Sequence, residues 1–268
     1  MPVAVSLKLE SANPAELVAA LRRGTEALGG TTSGGLLFLS GTWVRQIVEV
    51  AATVRDHVPT GTILVTTGAG TLTQQGEVEH GTGAVGLLWR SGTTRGFVLD
   101  AEGDGPAAQR VARAIHDTMR GARGGVALFA SRDVSRPTEL FDERACPISV
   151  PVFGGGSLGC PGAVVVSQGQ VRTGDIGGLA VLDLARPIVR VSSACKLLGE
   201  ALPVTAVDGA LMLTIGGRSA LELLRTQAVH TAGQRLVVVA VVLDPEQAPR
   251  RRVLLREIRG VHDGRGGL

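Results

Sequence analysis

From Val3 to Leu9 apolar and polar positions alternate, the period of a strand with one covered face. Ala15, Leu17, Val18 and Leu21 then recur at helical spacing, and Asn13 followed by Pro14 supplies an N-cap and a first-turn residue, so a helix is predicted to run to about Leu28. Gly29, Gly30 and Gly34 break the chain before a short continuous apolar strand at Leu36–Leu39. An amphipathic helix over Thr42–His57 leads through Pro59 and Gly61 to a second buried strand at Thr62–Thr66. Two such strands joined by a helix predict a βαβ crossover whose strands are parallel and covered on both faces.

After Gly68 the sequence GAGTLTQQGEVEHGTG reads as a polar, Gly-rich loop, the kind of segment that often carries function. Beyond it the pattern predicts strands at Ala84–Arg90 and Arg95–Leu99, a helix over Pro106–Met119 and a strand at Gly125–Ala130. A short helix at Thr138–Glu143 and a strand at Ile148–Phe153 follow. From Ala163 the predicted strands come too close together for helical crossovers and are expected to be antiparallel: Ala163–Ser167, Gln170–Arg172, Gly177–Leu184 and Ile188–Ser192. Leu202–Ala206 and Ala210–Ile215 form an expected hairpin about Asp208 and Gly209. Arg218–Thr226 is an expected helix, and Arg235–Leu243 and Val253–Ile258 the last strands. The fold class expected is α/β to α+β: two mixed subdomains, sheets flanked by helices, and a second half rich in antiparallel strands.

With 268 residues and 44% hydrophobic positions the chain can bury a substantial core. Its net charge of +3 comes almost wholly from arginine, since Lys8 and Lys196 are the only lysines, and aromatic residues make up 3% with no tyrosine. A basic stripe interleaved with stacking aromatics is therefore missing, and nucleic acid is not an expected partner. Cys146, Cys160 and Cys195 are too few and too far apart for a disulfide framework or a CxxC zinc site, which suits a reducing cytoplasm. The longest apolar run, Leu236–Leu243, is far short of the ~20 residues of a membrane span, so no membrane association is expected. The five histidines show neither HxH nor HExxH spacing. No metal and no cofactor is expected.

Candidate chemistry is sparse. Glu77 and Glu79 stand two apart, so on a strand they would share a face and could receive a cation or an amino group; the plain alternative is a pair of solvated acids. Gly154, Gly155 and Gly156 follow an apolar strand without a GxGxxG or GxxxxGK[ST] pattern, which favours a close-packed turn over a phosphate loop. Cys195 beside Lys196 could be an activated thiol, a pocket residue or a buried structural thiol. Arg256 interrupts an otherwise apolar strand, and a buried guanidinium there would need an anionic partner. Trp43 and Trp89 are expected in the core.

In sequence order these segments resemble the FIST family. GLLFLS, GTILVTTGAG and EVEHGTGAVGLLW are similar to the family's N-terminal elements, with Ala69 where a cysteine is usual. Cys195-Lys196, Leu198-Gly199-Glu200, Val204-Thr205 and GGRSALELL are similar to its C-terminal ones, with Lys196 in place of an arginine and without the bidentate fork. RVLLREIRGVHDGRGGL resembles the family's last motif, beyond which relatives continue. The resemblance implies a FIST N-like domain over 1–187 and a shortened FIST C-like domain over 188–268, whose open edge near Val237–Leu243 suggests a homodimer. It implies an intracellular, cytoplasmic sensory module rather than an enzyme. That module would bind a small polar, amino-acid-like ligand through Glu77, Glu79, Gly154, Gly155, Cys195, Lys196, Thr205 and Arg256, and would pass the signal to a protein partner. The alternatives are an interaction scaffold without a small ligand and a cysteine-dependent or carboxylate hydrolase.

Overall fold

The computed structural model describes residues 2–73, 76–79, 81–131, 150–159, 161–183, 200–229, 238–242, 253–258 and 260–268. These fall into two compact units, Met1–Val189 and Arg190–Leu268. The expected strands at Ile188–Ser192, the helix at Thr138–Glu143 and all three cysteines lie outside the described residues.

The first unit opens with strand β1 (Ala4–Leu9) and helix α1 (Pro14–Ala27). The Asn13 side chain accepts from the Ala15 backbone N–H at 3.0 Å, and Pro14 occupies the first turn where no N–H is required. Leu17, Ala20 and Leu21 form the buried face of α1. Strand β2 (Gly34–Ser40) is followed by a 3-10 segment (Gly41–Gln46) and then α2 (Ile47–His57), so the single helix expected over Thr42–His57 is in two parts. Trp43 explains the break: it is buried in the first part and donates from Nε1 to the Ser11 carbonyl at 2.8 Å. Strand β3 (Thr62–Thr67) pairs parallel to β2, the predicted βαβ unit, and every one of its residues is buried.

The expected polar loop after β3 is instead a hairpin, β4 (Gly70–Thr73) with β5 (Gly76–Glu79), whose backbone pairs antiparallel in spite of its glycines. Then come β6 (Gly83–Trp89), β7 (Thr93–Leu99), α3 (Ala107–Met119), β8 (Gly124–Ser131), β9 (Val152–Ser157), β10 (Ala163–Ser167), β11 (Gln170–Gly174) and β12 (Ile176–Leu182). β10 and β11 are an antiparallel hairpin as expected. β12, however, leaves them for a second sheet, where it lies antiparallel between β7 and β8.

Two stacked sheets result, ordered β1-β6-β2-β3-β10-β11 and β7-β12-β8-β9. Alternation along each strand sorts the apolar residues into three layers. Ile63, Val65, Val164 and Val166 face α1 and α2 on the outside of the six-stranded sheet. Val126, Leu128, Ile176 and Ala180 face α3 on the outside of the four-stranded sheet. Leu64, Ala127, Ala163, Val165 and Leu179 lie between the sheets. Small residues let the sheets close on each other, since a Cβ on Gly177 would lie 2.4 Å from the Ala163 Cβ and one on Gly96 2.6 Å from Val165 Cγ1. Phe38 of β2 meets Phe129 of β8 edge to face across this layer, with centroids 5.4 Å apart at 76°.

The second unit contains β13 (Val204–Asp208), β14 (Leu211–Ile215) and β15 (Arg218–Ser219) in one antiparallel sheet, then helix α4 (Ala220–Val229). The turn falls at Gly209-Ala210, one residue beyond the expected Asp208-Gly209, because Asp208 still pairs with Leu211 and Gly209 takes φ +58°. The helix begins at Ala220 because Arg218 and Ser219 pair with β14. β16 (Val238–Val242) and β17 (Val253–Glu257) pair antiparallel. The last residues fold back onto β14, where Met212 and Leu268 exchange backbone hydrogen bonds of 2.9 and 3.0 Å. The whole is an α+β architecture of mixed and antiparallel sheets flanked by helices. No helix among the described residues is long and apolar enough to cross a membrane.

Candidate functional site

Within the first unit two parallel strand pairs finish at one end of the sandwich, β2 and β3 at Ser40 and Thr67, β8 and β9 at Ser131 and Ser157. Gly162, at the entrance to β10, ties them together. Its carbonyl accepts from Thr66 Oγ1 at 3.1 Å, and a Cβ on it would stand 2.7 Å from the Ser131 Cβ. The carboxyl ends of parallel strands are where open α/β sheets most often take ligands.

Hydroxyl residues gather here: Ser40, Thr66, Thr67, Ser131 and Ser157 are all buried. Those of the β2–β3 pair are satisfied. Ser40 donates to the Gly81 carbonyl at 2.8 Å, and Thr67 Oγ1 donates to the Leu158 carbonyl while accepting from the Leu158 N–H. Those of the β8–β9 pair are not. Ser131 and Ser157 are register partners, 4% and 1% exposed, and neither hydroxyl has a hydrogen-bond partner among the described residues. Leaving such a group unpaired costs about 1–3 kcal/mol. The other unpartnered buried side-chain atoms among the described residues belong to Thr25, Thr32, Trp89 and Arg110, on four different segments, so Ser131 and Ser157 alone form an adjacent strand-paired couple.

Gly154, Gly155 and Gly156 are not the expected turn. They continue edge strand β9 in parallel register with Leu128, Phe129 and Ala130, because β8 supplies the backbone partners that three glycines cannot signal by themselves. Gly154 must be glycine, with φ +153° and a Cβ position 1.7 Å from the Leu128 carbonyl oxygen. Gly155 has neither constraint: its φ is not in the left-handed region, and a Cβ there would meet no described residue within 4 Å.

Glu77 and Glu79 lie on β5, in register with Leu72 and Gly70 of β4, and β4 runs against β2 and β6. In the second unit, Thr205 is on β13, where its hydroxyl shares a 2.7 Å hydrogen bond with Thr214 and accepts from the Gly217 N–H at 3.0 Å. Arg256 is on β17 opposite Val239. Cys195 and Lys196 lie outside the described residues. Sequence reasoning missed Ser131 and Ser157, since a serine ending a strand carries no signal until its pairing partner is known.

Titration adds little at this end of the fold. Glu10 and Asp56 are held below the usual carboxylate range by hydrogen bonds from Lys8 and Arg55, on exposed surface elsewhere. A surface recess lined by Lys8, Glu10, Glu16 and Arg23 has much of its charge engaged locally: Lys8 pairs with Glu10 at 2.6 Å, and Glu16 accepts from Ser11 Oγ at 2.6 Å. Among the described residues no group of three His, Cys, Asp or Glu side chains could hold a metal ion.

Two stacked sheets between outer helices, with buried hydroxyls where the parallel strands end, define an α+β domain. The family model described as FIST N domain matches residues 33–218, more than half of the sequence, and the chain belongs to that family, whose domain is a sensory, signal-transduction module. No curated protein matches the chain.

Proposed function

We propose that the chain works in the cytosol as a sensory module that binds a small polar ligand at the strand-end cluster of its first unit and passes the signal to a protein partner. The observation that carries this reading is the unpartnered pair Ser131 and Ser157, placed where parallel strands end and where a ligand would supply the missing hydrogen bonds. Glu77 and Glu79, on the hairpin that follows β3, are assigned to a cationic or amino group of the same ligand.

A thermal-shift screen against amino acids, short carboxylates and nucleotides tests this reading. A ligand at 100 times its Kd stabilises the fold by about 2.7 kcal/mol. At least one compound should raise Tm by several degrees, and less so in Glu77→Gln/Glu79→Gln. A flat screen on folded protein would contradict the reading. The second reading, an interaction scaffold, is favoured by the exposed β13 side chains Val204 and Val207, 53% and 64% exposed. It would gain from a flat screen.

A further inference from the structure

In the second unit, residues 260–268 lie against β14 and the start of α4, held mainly by polar contacts. Met212 and Leu268 exchange backbone hydrogen bonds of 2.9 and 3.0 Å, beyond the two residues that β15 covers, Thr214 and Ile215. The Gly266 carbonyl accepts from the Leu221 N–H at 3.0 Å and from Ser219 Oγ at 2.9 Å, so it takes up one of the free donors in the first turn of the helix. Arg265 reaches Asp208 at 2.5 Å and Arg225 reaches Asp263 at 2.6 Å, through side chains 46–72% exposed. Residues 261–265 are exposed, and Gly267 is buried.

The segment carries its own shape. His262 and Gly267 are bonded in both directions, at 2.9 and 3.3 Å, around the short turn at Asp263–Arg265, so little ordering is needed when it docks. Its seat reads the sequence through close contacts. A Cβ on Gly267 would stand 2.9 Å from Leu211 Cγ, and one on Gly266, at φ +64°, 2.8 Å from Ser219 Oγ. Asp208 holds the arginine before these glycines, and the Met212 backbone holds the residue after them. The seat is therefore fitted to an Arg-Gly-Gly segment, which it takes by strand addition.

Exposed ion pairs are weak and screened by salt, and a segment with little buried apolar surface opens at a small fraction of the unfolding free energy. We propose that residues 260–268 leave their seat and dock in the same seat of a second copy of this chain. Each exchanged segment then makes the contacts it makes at home, so the exchange loses no bond and costs only the entropy of association. It gives two copies a reciprocal interface, and it is independent of the ligand proposed for the first unit.

The test uses a fluorescein-labelled peptide, VHDGRGGL, as the second copy's segment, and the full chain carrying Gly267→Val, whose own segment is pushed off Leu211. Circular dichroism and Tm of this variant should stay close to those of the unaltered chain, since β13, β14 and β15 keep their own pairing. At low salt the peptide should bind the variant at least tenfold more tightly than the unaltered chain, whose seat is filled. VHDGRGVL should bind at least tenfold more weakly than VHDGRGGL, and adding Asp208→Asn to the variant should weaken VHDGRGGL similarly. In light scattering the unaltered chain should pass from monomer to dimer as concentration rises, while Gly267→Val stays monomeric. If Gly267→Val folds poorly, Asp263→Ser/Arg265→Ser, which keeps both glycines and removes both ion pairs, takes its place in the peptide assay. Binding indifferent to the peptide's second glycine, no binding to either variant, or an unaltered chain that is monomeric at every concentration would overturn the proposal.

Discussion

The two parallel strand pairs of the first unit are built alike and finished differently. β2 and β3 sit inside a six-stranded sheet, β3 is buried along its whole length, and the hydroxyls at their ends are tied to Gly81 and Leu158. β8 and β9 reach the edge of the smaller sheet, carry three consecutive glycines on the outer strand, and end in two buried hydroxyls with no partner among the described residues. A pair that only supports a fold satisfies its polar groups, and a pair that receives something keeps groups in reserve. The β8–β9 end, with two buried hydroxyls that bond to no described residue, is therefore where the proposed binding role places its ligand.

Four substitutions sharpen this contrast. Leu64→Ala on β3, at a fully buried position between the sheets, should destabilise the chain by about 3–4 kcal/mol in denaturant unfolding, through lost burial and a cavity that two stacked sheets cannot collapse into. Gly154→Ala should cost about 2–3 kcal/mol by the same measurement, because strand β9 must leave β8 to move the new Cβ off the Leu128 carbonyl. Thr67→Val keeps the side-chain shape but removes both hydrogen bonds to Leu158, and a loss of about 1–2 kcal/mol is expected. Gly155→Val, one residue from the costly position, should leave stability unchanged or raise it by about 0.5 kcal/mol, since it restricts the unfolded chain without strain in the folded one. A large loss at Gly155 would mean that the edge strand is packed against something and that the contrast with Gly154 is unreal.

Much of the layered fold was legible in the sequence because the signals were local. Asn13-Pro14 marked the first helix, continuous apolar runs marked β2 and β3, and the close spacing of Ala163–Ser167 and Gln170–Arg172 marked the β10–β11 hairpin. The β4–β5 hairpin was not legible, since GTLT and GEVE are four residues each with a single apolar residue apiece, so only their mutual pairing shows them as strands. The glycines of β9 read as a turn for the same reason: glycine's own preference is against a strand, and the parallel neighbour β8 overrides it. Of the residues expected to form a site, Glu77, Glu79, Gly154 and Gly155 fall in the first unit and Thr205 and Arg256 in the second. The hydroxyl pair was invisible because Ser131 and Ser157 become neighbours only when β8 and β9 are laid side by side.

The unfolding free energy of Ser157→Ala, measured beside Thr67→Val without added ligand, tests the reserve at the β8–β9 end most directly. Ser157→Ala should be as stable as the unaltered chain or more stable by up to about 1 kcal/mol, because it removes a buried hydroxyl that bonds to no described residue, while Thr67→Val loses stability. If Ser157→Ala lost about as much as Thr67→Val, its hydroxyl would be an ordinary structural group, and the β8–β9 end would hold nothing in reserve for a ligand.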